Sequence, residues 1–338
     1  MNEDVPKASP VKIADVARIA GVSPATVSRA LSRPGMVSEA TRRAVLEAVQ
    51  ATGYRMNHAA RNLRKRRTAA VVALLPHLGN PFFAKILEGL GRKLEAAGYD
   101  LLVGDTRGEG GRLRSLRRFL DTSRADGIVL LDGRVPLSEI GAEGNVPPIV
   151  MACEWIEGDD YPRVTLDNAA GTELAARHLV DLGHERIACV GGPTDNVLHK
   201  TRIEGVERVL GRGGFGLFDG DFSLEAGQRA ASDWLALPVD KRPTGIICFS
   251  DEMACAFMAE VQTHGIAVPR DVSVVGFDDI ELALHLVPAL TTVRQPKRDI
   301  GGLAAETILA VIEGKAVDRQ IMIPPKLMPR ASTGPAPV

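Results

Sequence analysis

From Ala70 onwards, short runs of valine, isoleucine and leucine alternate with longer amphipathic stretches. The runs are Ala70–Pro76, Asp100–Asp105, Gly127–Leu131, Pro148–Ala152, Arg163–Leu166, Arg186–Val190, Gly245–Phe249 and Val272–Gly276. Near-continuous apolar character marks strands buried on both faces, hence parallel sheets covered by helices. Between the runs a helical period recurs over Phe83–Ala97, Gly111–Thr122, Ala169–Leu182, Lys200–Leu210, Glu225–Leu235, Asp251–His264 and Pro296–Glu313. So many units in a chain of 338 residues predict two doubly wound lobes rather than one. Ligands bind such sheets beyond the carboxyl ends of the strands. The loops to watch are therefore Asn80-Pro81-Phe82-Phe83, Glu154-Trp155, Gly191-Gly192-Pro193, Ser250-Asp251 and Phe277-Asp278-Asp279.

The residues before this body read differently. Residues 1–68 hold 13 lysines and arginines against 5 acids, although the whole chain is nearly neutral at −1. A basic head on an acidic body suggests a polyanionic partner for the head. Residues 1–10 are predicted to be a disordered tail. Ile13, Val16, Ala17 and Ala20 then share one helical face, and Gly21 ends that helix. Ser23 is a good N-cap with Pro24 at the first helical position, and the second helix runs to about Leu31. Ser38 caps a third helix, which Gly53 ends. Helix, tight turn and second helix form a helix-turn-helix, whose second helix reads the major groove with its N-terminal residues. Here those are Pro24, Ala25, Thr26, Ser28 and Arg29. Arg29 can reach guanine or a phosphate, Thr26 and Ser28 can bond phosphates, and Ala25 suits a thymine methyl.

The stretch from Ile13 to Leu31 resembles the LacI/GalR family of bacterial transcription regulators. The likeness continues through Val37–Arg42, Gly53-Tyr54, Asn57–Leu63, Asn80–Phe83, Leu179–Ile187, Gly276–Asp279 and Leu290–Pro296, so it spans roughly residues 11–334. It implies an all-α head at 11–57, a hinge at 58–68 and a periplasmic-binding-protein-like α/β body at 69–338. Within the body, lobe 1 would take about 69–166 and 295–324, and lobe 2 about 167–294 and 325–338, joined by three crossings. The resemblance also implies a homodimer on a palindromic double-stranded operator, with a repressor the commoner role. Asn57, Arg61 and Leu63 match the DNA-contacting hinge, where Leu63 would wedge into the minor groove. The chain departs from the family in carrying Met56 where proline is common. Matching motif to motif, Phe82, Phe83, Trp155, Arg202, Phe222, Asp251 and Asp278 would bind a small effector between the lobes. The segments Pro147–Ala152 and Gly220–Gly227 resemble the cytidine-responsive branch, which leaves a nucleoside and a sugar both open.

Other classes fit less well. Dinucleotide, P-loop, nucleophile-elbow and zinc-protease motifs do not occur, so neither an enzyme nor a bound cofactor is expected. The four cysteines form no CxxC pair and read as buried thiols. A secreted solute-binding protein would share the body, but Met1–Pro10 is polar and acidic, and the head would be superfluous. The expected location is the cytoplasm, at the nucleoid.

Overall fold

The computed structural model describes residues 11–32, 34–54, 67–107, 111–120, 122–136 and 146–337. Asn57, Arg61 and Leu63 lie outside the described residues. The chain divides into two compact units, residues 1–67 and 68–338.

The first unit holds α1 (Ile13–Ile19), α2 (Pro24–Ser32) and α3 (Glu39–Thr52). Val16, Ala17, Val27, Ala30, Val45 and Ala48 are buried at its centre. Gly21 makes the turn between α1 and α2 with φ +66°, a left-handed conformation that favours glycine. The Ser23 hydroxyl accepts from the Thr26 amide at 3.1 Å, and Ser38 does the same for Thr41 at 3.2 Å. These bonds satisfy amides that the start of each helix leaves unpaired. Gly53, at φ +64°, ends α3.

The second unit is built on two six-stranded sheets. The first contains β1 (Ala70–Leu75), β2 (Asp100–Asp105), β3 (Gly127–Leu130), β4 (Ile149–Ala152), β5 (Arg163–Leu166) and β11 (Gln320–Ile323). Its order is β11-β5-β4-β3-β1-β2, and every pairing is parallel. The second contains β6 (Ile187–Val190), β7 (Gly216–Phe218), β8 (Gly245–Cys248), β9 (Ser273–Asp278), β10 (Thr291–Arg294) and β12 (Lys326–Met328). Its order is β12-β10-β9-β8-β6-β7, parallel except for β12 against β10. The chain passes between sheets after Leu166, after Arg294 and after Ile323, so each sheet is completed by a strand from the far end of the chain.

Helices cover both sheets. The first lobe carries α4 (Pro81–Ala96), α5 (Gly111–Arg117) and α10 (Lys297–Ile312). The second carries α6 (Asn168–Asp181), α7 (Val197–Leu210), α8 (Leu224–Ala236) and α9 (Asp251–Thr263). Val71, Ala73, Val129 and Val150 meet α4 and α10 on one face of the first sheet, while Val72, Leu74, Ile128 and Leu130 meet Leu116 of α5 on the other. That two-sided burial is what the continuous apolar runs encode. Helices α4 and α10 cross so closely that a Cβ on Gly301 would sit 2.1 Å from the Ile86 carbonyl oxygen.

Strand order reverses twice. In the first sheet β1 lies between β2 and β3; in the second β6 lies between β7 and β8. Loops leaving adjacent strands at such a point diverge and open a crevice at the carboxyl ends.

Candidate functional site

Among the described residues, two places gather most of the residues singled out from the sequence. The first is the outer side of α2. Val27 and Ala30 are buried, whereas Pro24, Ala25, Ser28 and Arg29 are exposed. Arg29 Nε donates to the Ala25 carbonyl at 3.3 Å, which lays the side chain back along its own helix. Thr26 is half-buried, and its hydroxyl shares a hydrogen bond with Ser23 Oγ at 2.9 Å. That bond places the Thr26 hydroxyl beside the cap of α2.

The second place is a cleft of about 780 Å³, counting its open mouth, where the carboxyl ends of the two sheets meet. Phe82, Phe83, Arg202, Phe222 and Asp278 all line it. The rings of Phe82 and Phe83 meet edge to face at 5.1 Å. They arrive in the first turn of α4, which Asn80 caps by accepting from the Phe82 amide at 2.8 Å. Phe222 is held at φ +70°, and a Cβ on Gly192 would come within 2.2 Å of its ring. The second lobe thus gives up a side chain at Gly192 to seat this aromatic face. Cys153, Phe222 and Asp278 all have positive φ and all line the cleft. Non-glycine residues hold such conformations only where the surroundings enforce them.

Arg202 is 2% exposed. Its Nε donates to Asn168 Oδ1 at 2.9 Å, its Nη1 donates to the Phe249 carbonyl, and its guanidinium lies 3.8 Å from the centre of the Phe277 ring. Burial pushes its pKa down to about 10, against the pull of Asp278 and Glu154, so it stays cationic near neutral pH. Asp278 ends β9 and accepts from Gln295 Nε2 at 2.7 Å. Burial raises its pKa to about 6, with Arg202 and Lys297 opposing the rise.

Two of the expected effector residues lie elsewhere. Asp251 is fully buried beneath the cleft. Its Oδ2 accepts from the Ile280 amide at 2.8 Å and its Oδ1 from Thr292 Oγ1 at 2.6 Å, so it ties α9 to the ends of β9 and β10. Burial and the nearby Asp278 carboxylate hold its carboxyl well above the usual range. Trp155 follows Glu154 in the same loop but lines a separate cavity with Arg163 and Thr165, and Arg163 stacks over its ring at 5.4 Å. It is Glu154 that enters the cleft.

The residues that sequence reasoning left unassigned are mostly charged or amide side chains at strand ends. Asp132, just past β3, takes Arg112 Nε at 2.7 Å, the Arg134 amide at 3.0 Å and the Thr106 hydroxyl. Glu154, just past β4, is 7% exposed and accepts from the Gly133 amide at 2.9 Å and Asn196 Nδ2 at 3.2 Å. Burial, with the neighbouring Asp132, pushes its pKa up to about 7. Position after a buried strand was the available signal for both.

Comparison with known proteins now bears on this geometry. Residues 12–57 match the model described as bacterial regulatory proteins, lacI family, and residues 176–333 match the periplasmic binding protein-like domain. The HTH-type transcriptional repressor PurR of Aliivibrio fischeri is 35% identical over 332 residues, which cover 95% of this chain and 97% of that one. The chain belongs to the lacI family. The HTH-type transcriptional repressor CytR of Escherichia coli is 36% identical over 310 residues, 90% of each chain. Among solved structures, the lac repressor dimer bound to operator and the anti-inducer ONPF superposes with a TM-score of 0.84 at 27% identity, covering 96% of this chain and all of that one. The transcriptional regulator CelR–cellobiose complex gives 0.71 at 29% identity, over 95% of this chain and 99% of that one. As a lacI-family member this protein is a ligand-responsive, DNA-binding transcription repressor and not an enzyme. No helix among the described residues is long and apolar enough to cross a membrane.

Proposed function

We propose that this repressor binds a palindromic operator as a homodimer and that a small sugar or nucleoside in the cleft changes its grip. The carrying observation is the cleft itself, which gathers Phe82, Phe83 and Phe222 with Arg202 and Asp278 between the two sheets. Aromatic rings offer flat apolar faces, Arg202 offers donors and Asp278 offers an acceptor for hydroxyls. A hydroxyl-bearing ring answers all three. The lac repressor with operator and ONPF, and CelR with cellobiose, support a ligand of this kind and a symmetric DNA site. Pro24, Ala25, Ser28 and Arg29 on the outer side of α2 are the base- and phosphate-reading residues, and Thr26 supports them from the cap. The place of action is the cytoplasm, at the nucleoid, and no cofactor beyond the effector is required.

An effector changes operator affinity only by its differential affinity for the two forms of the protein. The test is a fluorescence-anisotropy titration of an inverted-repeat duplex, selected from random sequence, with and without a panel of sugars and nucleosides. One compound is expected to shift the operator curve at least about fivefold. Failure to bind any symmetric duplex more tightly than random DNA overturns the reading.

A further inference from the structure

Two asparagines occupy equivalent places in the two lobes. Asn80 precedes α4 in the first lobe. Its Oδ1 accepts from the Phe82 amide at 2.8 Å, and its Nδ2 donates to Glu252 Oε2 of α9, in the second lobe, at 2.8 Å. Asn196 precedes α7 in the second lobe. Its Oδ1 accepts from the Leu198 amide at 2.7 Å, and its Nδ2 donates to Glu154 Oε2, in the first lobe, at 3.2 Å. Each amide therefore uses its oxygen to start a helix of its own lobe and its nitrogen to hold a carboxylate of the other. The capped helices bring Phe82, Phe83, Leu198 and Arg202 to the cleft wall.

Among the described residues, three ion pairs also span the lobes: Arg134–Asp195, Lys200–Glu157 and Lys85–Glu281. Their side chains are largely exposed, and pairs of that kind contribute little. The asparagine bonds differ in being sheltered. Asn196 is 4% and Glu154 7% exposed, and Asn80 and Glu252 are half-buried. Both carboxylates also sit among like charges. Glu252 faces Asp278 and Glu225, and Glu154 faces Asp132, with the Arg202 cation opposing. Burial and those neighbours push both carboxyls up to about 7. A neutral amide donor satisfies each carboxylate without adding to the like charge around it.

We propose that Asn80 and Asn196 are a reciprocal pair of positioning residues that latch the lobes together through the caps of the two cleft-lining helices. Opening the cleft breaks each amide's outer bond while its inner bond keeps the helix started. Closing it holds both capping side chains from the opposite lobe as well, so the first turns of α4 and α7 are held more firmly when the lobes meet.

The test uses the full-length protein without any effector, so its outcome is independent of the effector reading. Aspartate caps helices as well as asparagine. Asn80→Asp therefore keeps the start of α4 but, at about pH 9, where Glu252 is ionised, turns the latch into two facing carboxylates. Amide hydrogen exchange is expected to rise about tenfold both over 79–86 and over 250–256, on opposite sides of the cleft. Asn80→Asp with Glu252→Gln returns the donor from the other side and is expected to restore wild-type exchange in both segments. The second latch gives the same pattern with Asn196→Asp and its rescue by Glu154→Gln. The proposal is overturned by wild-type exchange in the aspartate variants. It is equally overturned by a change confined to the capped helix, or by double variants that exchange as fast as the single ones.

Discussion

The outer side of α2 and the cleft of the body, the two proposed recognition surfaces, are built on opposite plans. On α2 the residues proposed to read DNA lie within six consecutive positions, Pro24 to Arg29, and most are exposed. Their placement depends on one short helix and the Ser23 cap. In the cleft the residues come from both lobes and from positions as distant as His77 and Gln295, and the decisive ones are buried. A surface reader needs a rigid rod and a correct face. A sensor needs charges removed from water and held by other parts of the chain, because only there does a single ligand outweigh their interactions with one another.

If the two plans are separable, damage to one should spare the other. The largest effect is expected from Arg202→Ala, which should weaken effector binding by about 100-fold, the value of a buried charge-assisted hydrogen bond. Operator affinity without effector should stay within about twofold. Anisotropy titrations of both ligands decide this, and parallel loss of the two affinities would break the comparison. Gly301→Ala forces a Cβ against the Ile86 carbonyl and should cost the body about 2 kcal/mol of stability. In denaturant, exchange protection of α4 and α10 should fall while that of α1 to α3 holds.

A pH series sharpens the contrast. The Glu154 carboxyl lies at about 7 against an ordinary 4.5, chiefly through burial, with Asp132 beside it and Arg202 opposing. Between those values the folded body holds a proton that the unfolded chain has released, so stability should fall as pH rises from about 4.5 to about 7. Glu154→Gln is neutral throughout and should flatten that part of the melting curve. An unchanged slope would show that Glu154 is not the group responsible. The smallest effect is expected in the head. Ser38→Ala removes the cap of α3 and should cost about 1 kcal/mol there, with no change in effector affinity.

The two plans also differ in how legible they were. Ser23, Pro24, Ser38 and Gly53 mark the ends of their helices by local chemistry, so the head could be read residue by residue. The central strands were equally plain, because burial on both faces leaves apolar runs. The edge strands β7, β11 and β12 were not: β7 and β12 are three residues long, and β11 alternates exposed and half-buried residues. Strands with one face or one edge in water lose the continuous apolar signal. In the cleft, family motifs located Arg202, Phe222 and Asp278. They misplaced Trp155, because successive residues of that loop face different cavities, and Asp251, whose carboxylate is consumed by Ile280 and Thr292. Glu154 and Asn196 carry no motif of their own, Asn80 was legible only as the start of the Asn80–Phe83 block, and the bonds the three make across the cleft exist only once the lobes are side by side.

The crossing of the chain between sheets imposes an order on biosynthesis. Domains fold as they leave the ribosome, the N-terminal ones first. The helices of the head come from one contiguous stretch and can assemble early. Neither sheet of the body is complete until its last strand, β11 at Gln320–Ile323 or β12 at Lys326–Met328, has been made. A nascent chain halted before Gln320 therefore already carries the α2 reading surface while both sensor sheets still lack an edge. Translation itself separates the completion of the head from the completion of the sensor.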